Sequence, residues 1–260
     1  MPPITSPSGS LGKERDPQTF LWMGKQSYDN NLKALDSVQF RRPAEVGDQY
    51  LDVGCGPGNF VAEALLPRLG HCRRLIATDK AASMVEYARE HYPNPAVVYD
   101  VLDIERGDVQ SFVGKYGLFD RIYSFMAFHY VNDLERAYRN VFLALKDGGE
   151  FMTLSFTGTA ITDVWYHLCC TEEWKAFLPN PKKVLYQRFC YSAPIPQTEI
   201  ADNEGKAVAA AGLELVSCQV YDTYWTMPDI DSWLGESQTN QFWGINSHRA
   251  SMHGFGLPYT

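Results

Sequence analysis

The sequence predicts an α/β protein built on a parallel sheet, and three observations carry that reading. Five short apolar runs, QYLDVG (49–54), RRLIATD (73–79), AVVYDV (96–101), FDRIYSF (119–125) and GEFMTLSF (149–156), succeed one another through the middle of the chain. Helical patterns lie between them, the alternation expected of parallel strands joined by right-handed crossovers. A glycine-rich turn, YLDVGCGPGNF (50–60), closes the first run and opens the first intervening helix.

In chain order, residues 1–17 are rich in Pro, Ser and Gly and read as a flexible arm. From Phe20 to Phe40, Leu21, Trp22, Tyr28, Leu32, Leu35 and Val38 recur at helical spacings and predict one or two helices lying over the domain. Asn59–Leu69 and Ala82–His91 read as helices between strands. Over 133–145, Leu134, Ala137, Tyr138, Val141, Phe142 and Leu145 form an i, i+3, i+4, i+7, i+8, i+11 stripe that starts at Asp133 and is followed by Gly148-Gly149. The rhythm then changes. A helical stretch rich in Trp and Tyr (160–178) leads through a proline-punctuated loop (179–199) to a helix ending near Gly212 and a strand from Leu213 to about Tyr224. The closing segment, 241–260, has glycines, polar residues and little period, and reads as neither strand nor packed helix. The expected layout is one domain over 18–242, with 160–200 as a helical insertion and 243–260 as an irregular tail.

Composition narrows the function. A chain of 260 residues, 45% hydrophobic and 21% charged, is long enough to bury a sizeable core. Its net charge of −8 gives no positive field for phosphate backbones, so nucleic acid is not an expected partner. Cysteines at 55, 72, 169, 170, 190 and 218 include no C-x-x-C pair, which argues against a metal site or a disulfide framework and fits reduced thiols in the cytoplasm. The first residues lack the apolar run of a secretion signal. Phe151–Cys170, the longest weakly charged stretch, carries Asp163, His167 and several hydroxyls and reads as a buried strand and helix, with no membrane span expected.

The chemistry sits in the 50–60 turn. Asp52 precedes glycines at 54, 56 and 58, where the backbone must turn sharply and come close to a ligand. A dinucleotide fingerprint would need glycine at 59, which is Asn59, so a nicotinamide or flavin reading is weakened. Asp79 ends the second run, 21 residues beyond Gly58, where a carboxylate can accept both hydroxyls of a ribose. Asp103-Ile104 follow the third run and could read an adenine edge and face, with Met84 on the other face. Asp52 as a cap of backbone amides and Met84 as plain core remain alternatives.

This set resembles the class I S-adenosylmethionine (SAM)-dependent methyltransferases, whose D-x-G-x-G-x-G motif is matched by Asp52, Gly54, Gly56 and Gly58 over a similarity spanning about residues 45–155. The resemblance implies a Rossmann-like doubly wound sheet with helices on both faces and SAM as cofactor, held also by Lys80 and Ser124. After the fourth strand the sequence is SFMAFHYVND (124–133), not the [ND]-P-P-[YF] of base amino methyltransferases. Aromatics there and beyond, Phe125, Phe128, Trp165 and Trp174, are expected to line a pocket for a hydrophobic molecule.

The runs RLIATDKAASMVEYAREH (74–91), VLDIE (101–105), 119–149 and 158–178 look like the arthropod juvenile hormone acid O-methyltransferases, which methylate the carboxylate of farnesoic acid or its epoxide. This likeness implies a small hydrophobic carboxylic acid as substrate. A carboxylic acid is ionised at neutral pH, so alignment in a dry site matters more than a general base. The chain departs from that family in three places. His129-Tyr130 stands where His-Trp is common, and NNLKALD (30–36) puts Lys33 where a glutamine orients the carboxylate, so His129, Tyr130 and Lys33 are the expected catalytic residues. The tail beyond Phe242 lacks a strand pattern, so the antiparallel last strand of the class is expected to be missing. Two other readings stay open: a methyltransferase for another small acceptor such as an amine or phenol, and a catalytically impaired SAM- or isoprenoid-binding homologue. A homodimer is left open.

Overall fold

The computed structural model describes residues 16–70, 72–159, 167–174, 197–223 and 248–254. Among the described residues, seven strands form one sheet in the order β3-β2-β1-β4-β5-β7-β6, comprising β1 (Gln49–Val53), β2 (Arg74–Asp79), β3 (Val97–Val101), β4 (Phe119–Phe125), β5 (Leu145–Thr159), β6 (Ser217–Thr223) and β7 (His248–Gly254). The first five pair in parallel, and β7 runs antiparallel to both β5 and β6. The expected α/β architecture is therefore present, with all five predicted strands in register with one another.

Helices cover both faces because the strands are apolar on both sides. Leu51, Val53, Ile76, Ile122 and Phe151 face α5 (Val109–Tyr116), α6 (Leu134–Ala144) and α7 (Gln197–Ala210). Tyr50, Leu75, Ala77, Tyr123, Met152 and Leu154 alternate with them and face the other layer. That layer holds α2 (Lys25–Ser37), α4 (Ala82–His91) and a helix that carries a π-helical turn, Val61–Leu65, into α3 (Leu66–Arg68). The predicted N-terminal helices are α1 (Pro17–Met23) and α2. The stripe over 133–145 is α6, whose first turn is capped by Asp133 accepting from the Arg136 amide at 2.9 Å. Helix α5 was not predicted from the sequence.

A charged cluster fixes the amino end of the sheet. Arg42 pairs with Asp48 at 2.9 Å and Asp120 at 3.3 Å, Lys146 joins Asp120 at 2.8 Å, and Glu150 accepts from the Arg41 amide at 2.8 Å. The segment after α2 is thereby tied to β1, β4 and β5.

The expectation of a missing last strand is overturned. β7 lies in the tail and pairs from His248 to Gly254 with Thr223 to Ser217 of β6, and with β5 from Thr153 to Thr159. Glycine and proline content misled because the strand, His248–Gly254, contains no proline and carries its one glycine as its last residue. Without β7, β5 and β6 would each expose an unpaired edge, and tertiary pairing outweighs the weak local preference. Of the 160–178 helical stretch, 167–170 form a helical turn and 171–174 follow as bend and turn, while 160–166 and 175–178 lie outside the described residues, as does most of the 179–199 loop.

Candidate cofactor and acceptor site

Strand order reverses between β1 and β4, and the crevice beyond their carboxyl ends is where open α/β sheets bind ligands. Neighbouring strands lock the end of β1: the Thr78 hydroxyl donates to the Asp52 carbonyl at 3.0 Å and the Ser124 hydroxyl to the Val53 carbonyl at 2.8 Å. Ser124, expected on the cofactor, is wholly buried, and this bond spends its proton on the β1–β4 junction.

The glycines divide into two kinds. Gly54 has φ 83°, and a Cβ there would lie 2.2 Å from the Ala127 Cβ; at Gly58 it would lie 2.7 Å from the Ala88 Cβ of α4. Both are demanded by close packing. Gly56, with φ 56°, has nothing within 4 Å of its added Cβ, so its glycine leaves open space at the mouth of the loop.

Asp79 binds this loop directly. One carboxylate oxygen accepts from the Gly56 amide at 3.0 Å and the other from the Ala81 amide at 2.9 Å. Asp52 is 3% exposed and its Oδ1 has no hydrogen-bond partner. Burial, reinforced by the Asp79 charge, pushes its pKa up to about 8. A buried carboxyl oxygen without a partner calls for an explanation, and a ligand group would supply one. Met84 is 2% exposed on the first turn of α4. The Asp103 carboxylate accepts from the Glu105 amide at 2.9 Å and the Arg106 amide at 3.2 Å, holding the turn after β3. Ile104 is buried in the core on the α5–α6 face, and its carbonyl accepts from Asn140 of α6 at 2.7 Å. Glu105, which sequence reasoning missed, joins the turns after β3 and β4 by accepting from the Asn132 and Asp133 amides at 3.2 and 3.3 Å.

Beyond β4 the backbone is strained: Met126 has φ 53°, and its amide donates to the Leu154 carbonyl at 2.7 Å. A 3-10 turn, Phe128–Tyr130, follows. His129 is 3% exposed, with its ring centroid 4.1 Å from that of Tyr130 and 5.1 Å from that of Phe156. The Lys80 ammonium lies 6.0 Å from the Tyr130 ring centre, so residues after β2 and β4 meet across the crevice.

The expected substrate aromatics are not brought together. Phe125 packs on Phe60 at 4.8 Å in the layer of α2 and α3, whereas Phe128 packs on Tyr138 and Phe151, each at 5.3 Å, on the opposite face. Phe128 is thus a core residue. Trp174 is 46% exposed, and Trp165 lies outside the described residues. Lys33 is on the exposed side of α2, while two residues of its buried side, Asn30 and Asn31, were not anticipated. Their signal was legible as two asparagines inside an otherwise apolar stripe. Among the described residues, no group of His, Cys, Asp and Glu could hold a metal, and no helix is long and apolar enough to cross a membrane.

The fold is Rossmann-like with the glycine loop at its ligand crevice, and residues 51–153 match the family described as methyltransferase domain. The cofactor of that domain is SAM, and the open space at Gly56, the Asp79 carboxylate and the unpartnered Asp52 oxygen fit it. Within that class the chain resembles the juvenile hormone acid O-methyltransferases. It is 30% identical to that of Bombyx mori over 190 residues, covering 72% of this chain and 64% of the relative. It is 31% identical to that of Drosophila melanogaster over 146 residues, covering 55% and 48%. The chain thus spans less than two thirds of the length of either relative. In fold it is similar to the Haemonchus contortus phosphoethanolamine N-methyltransferase 2, with a TM-score of 0.57 at 14% identity, covering 93% of this chain and 57% of that one.

Proposed function

We propose that this protein is a SAM-dependent O-methyltransferase that esterifies the carboxylate of a small hydrophobic acid of the farnesoic or juvenile hormone acid kind. The observation that carries the reading is the similarity to two juvenile hormone acid O-methyltransferases, of which one alignment covers 72% of the chain. When bound, SAM supplies an electrophilic methyl group on a sulfonium. The chain's own residues bind and orient. The 54–58 loop, Asp52 and Asp79 hold the cofactor, with Met84 and Asp103 towards its adenine and Lys80 at the rim. His129, buried beside Tyr130 and Phe156, supplies a ring N–H to orient the acceptor, and the aromatic surroundings exclude water. The acid is already an anion at neutral pH, so no residue has to remove its proton.

The β7 strand removes one ground for a binding-only homologue, since a strand of this chain stands between β5 and β6. Incubating the protein with methyl-labelled SAM and farnesoic acid tests the reading. Label is expected in the organic extract. Label found only with amines or phenols would assign another acceptor, and SAM binding without transfer to any acceptor would leave a binding role.

A further inference from the structure

Helix α2 carries its polar anomaly at the level of the crevice. Tyr28 meets Phe60 edge-on at 5.3 Å, and Phe60 packs on Phe125, the last residue of β4, at 4.8 Å. After the other end of the helix, Phe40 meets Tyr123 at 5.7 Å and Arg42 pairs with Asp48, just ahead of β1. The helix therefore runs from the carboxyl end of the sheet towards its amino end, with residues 30 and 31 less than one turn beyond Tyr28. Ala34, one turn further, is 1% exposed, so 30, 31 and 34 form the side turned inward.

Asn30 is 2% exposed, and its Nδ2 is shielded from solvent without a hydrogen-bond partner. Asn31 is also buried, and there it is the acceptor Oδ1 that lacks a partner. A leucine at either position would satisfy packing alone, and a native fold rarely leaves such amides unpaired without a ligand or an ordered water to pair them. We propose that the Asn30 side-chain amide is the donor that receives the carboxylate of the hydrophobic acid, a role that Lys33, on the exposed side, does not fill. The inference rests on the O-methyltransferase reading above and names a second residue, besides His129, that orients the acceptor. The donor is assigned to Asn30, because there the unpaired atom is the N–H-bearing Nδ2, whereas at Asn31 it is an acceptor. A neutral amide also suits the reaction better than an ammonium: it positions the anion without stabilising its ground-state charge as strongly, and so leaves the oxygen nucleophilic. The apolar rings of Tyr28, Phe60 and Phe125, which pack in the same layer, match the tail of such an acid.

The test is titration of farnesoic acid into the full-length protein saturated with S-adenosylhomocysteine, read by calorimetry alongside methyl ester formation. Asn30→Leu and the isosteric Asn30→Asp are expected to weaken farnesoic acid binding about tenfold to a hundredfold, the span for losing a hydrogen bond to a charged group. S-adenosylhomocysteine affinity should stay within about twofold, and the melting temperature of Asn30→Leu should match or exceed that of the unaltered protein, which a purely structural amide would not allow. Asn30→Asp decides the matter if Asn30→Leu does not fold. Unchanged acid affinity in Asn30→Asp, with ester formation intact in the unaltered protein, overturns the role of Asn30 and leaves the function standing. If the unaltered protein neither binds nor methylates farnesoic acid, the function fails and the role falls with it.

Discussion

The Asp79 carboxylate accepts a hydrogen bond from the Gly56 amide at 3.0 Å, so the acid ending β2 holds the glycine loop that ends β1. This one contact sets the shape of the loop before any ligand arrives. Asp79→Ala would release both the Gly56 and the Ala81 amides and remove the ribose acceptor as well. SAM affinity should fall about tenfold to a hundredfold by calorimetry, as for other hydrogen bonds to charged groups. Unchanged affinity would remove Asp79 from the cofactor site.

The glycines of the loop should separate by phenotype. Gly54→Ala forces a Cβ to 2.2 Å from the Ala127 Cβ at φ 83° and should destabilise the fold by about 3 kcal/mol or more. Gly56→Ala meets open space and bears only the left-handed backbone strain of about 1–2 kcal/mol. It should fold yet lose SAM binding, because the methyl group fills the mouth of the loop. Denaturant midpoints and SAM titration of the two variants check this contrast.

Asp52 predicts a pH dependence with a definite sign. Its carboxyl, at about 8 in the fold against an ordinary 3.8, stays protonated after the unfolded chain has ionised. The stability it contributes is complete below about pH 4 and is lost as the pH rises to 8, by at most about 1.4 kcal/mol per unit. Asp52→Asn should therefore gain stability over the unaltered ligand-free protein as the pH climbs from 5 to 8, and the gain should level off above that. Urea midpoints across this range read the effect, and parallel curves for the two proteins would contradict it.

Legibility followed burial. The strands β1 to β5 could be read because both faces of the sheet are covered, which makes each a near-continuous apolar run, and the Asp52-to-Gly58 turn and Asp79 stood out by residue type and spacing. Helix α5 escaped because VQSFVGKY is only eight residues long, although Asp108 and Ser111 form a capping pair at 3.0 Å that was there to be found. Phe125 and Phe128 looked like one aromatic lining, yet the turn after β4 sends them to opposite faces. Asn30 and Asn31 were passed over for Lys33, since only burial shows which residues of α2 face inward.

The tail supplies the final prediction. HRASMHG contains no β-branched or aromatic residue, so nothing local marks it as a strand, yet it pairs with β6 at every position from Ser217 to Thr223 and with most of β5 from Thr153 to Thr159. A chain stopped after residue 247 would leave two long antiparallel ladders unmade. The cost, set against a usual margin of about 5–15 kcal/mol, would leave little or no folded protein. The exposed edges of β5 and β6 would then pair between molecules. Such a chain should accumulate as aggregate, and adding the missing segment back as part of the full chain should restore a monodisperse, cooperatively melting protein. A truncated chain that stays soluble and melts as the full one does would show that β7 contributes little to the sheet.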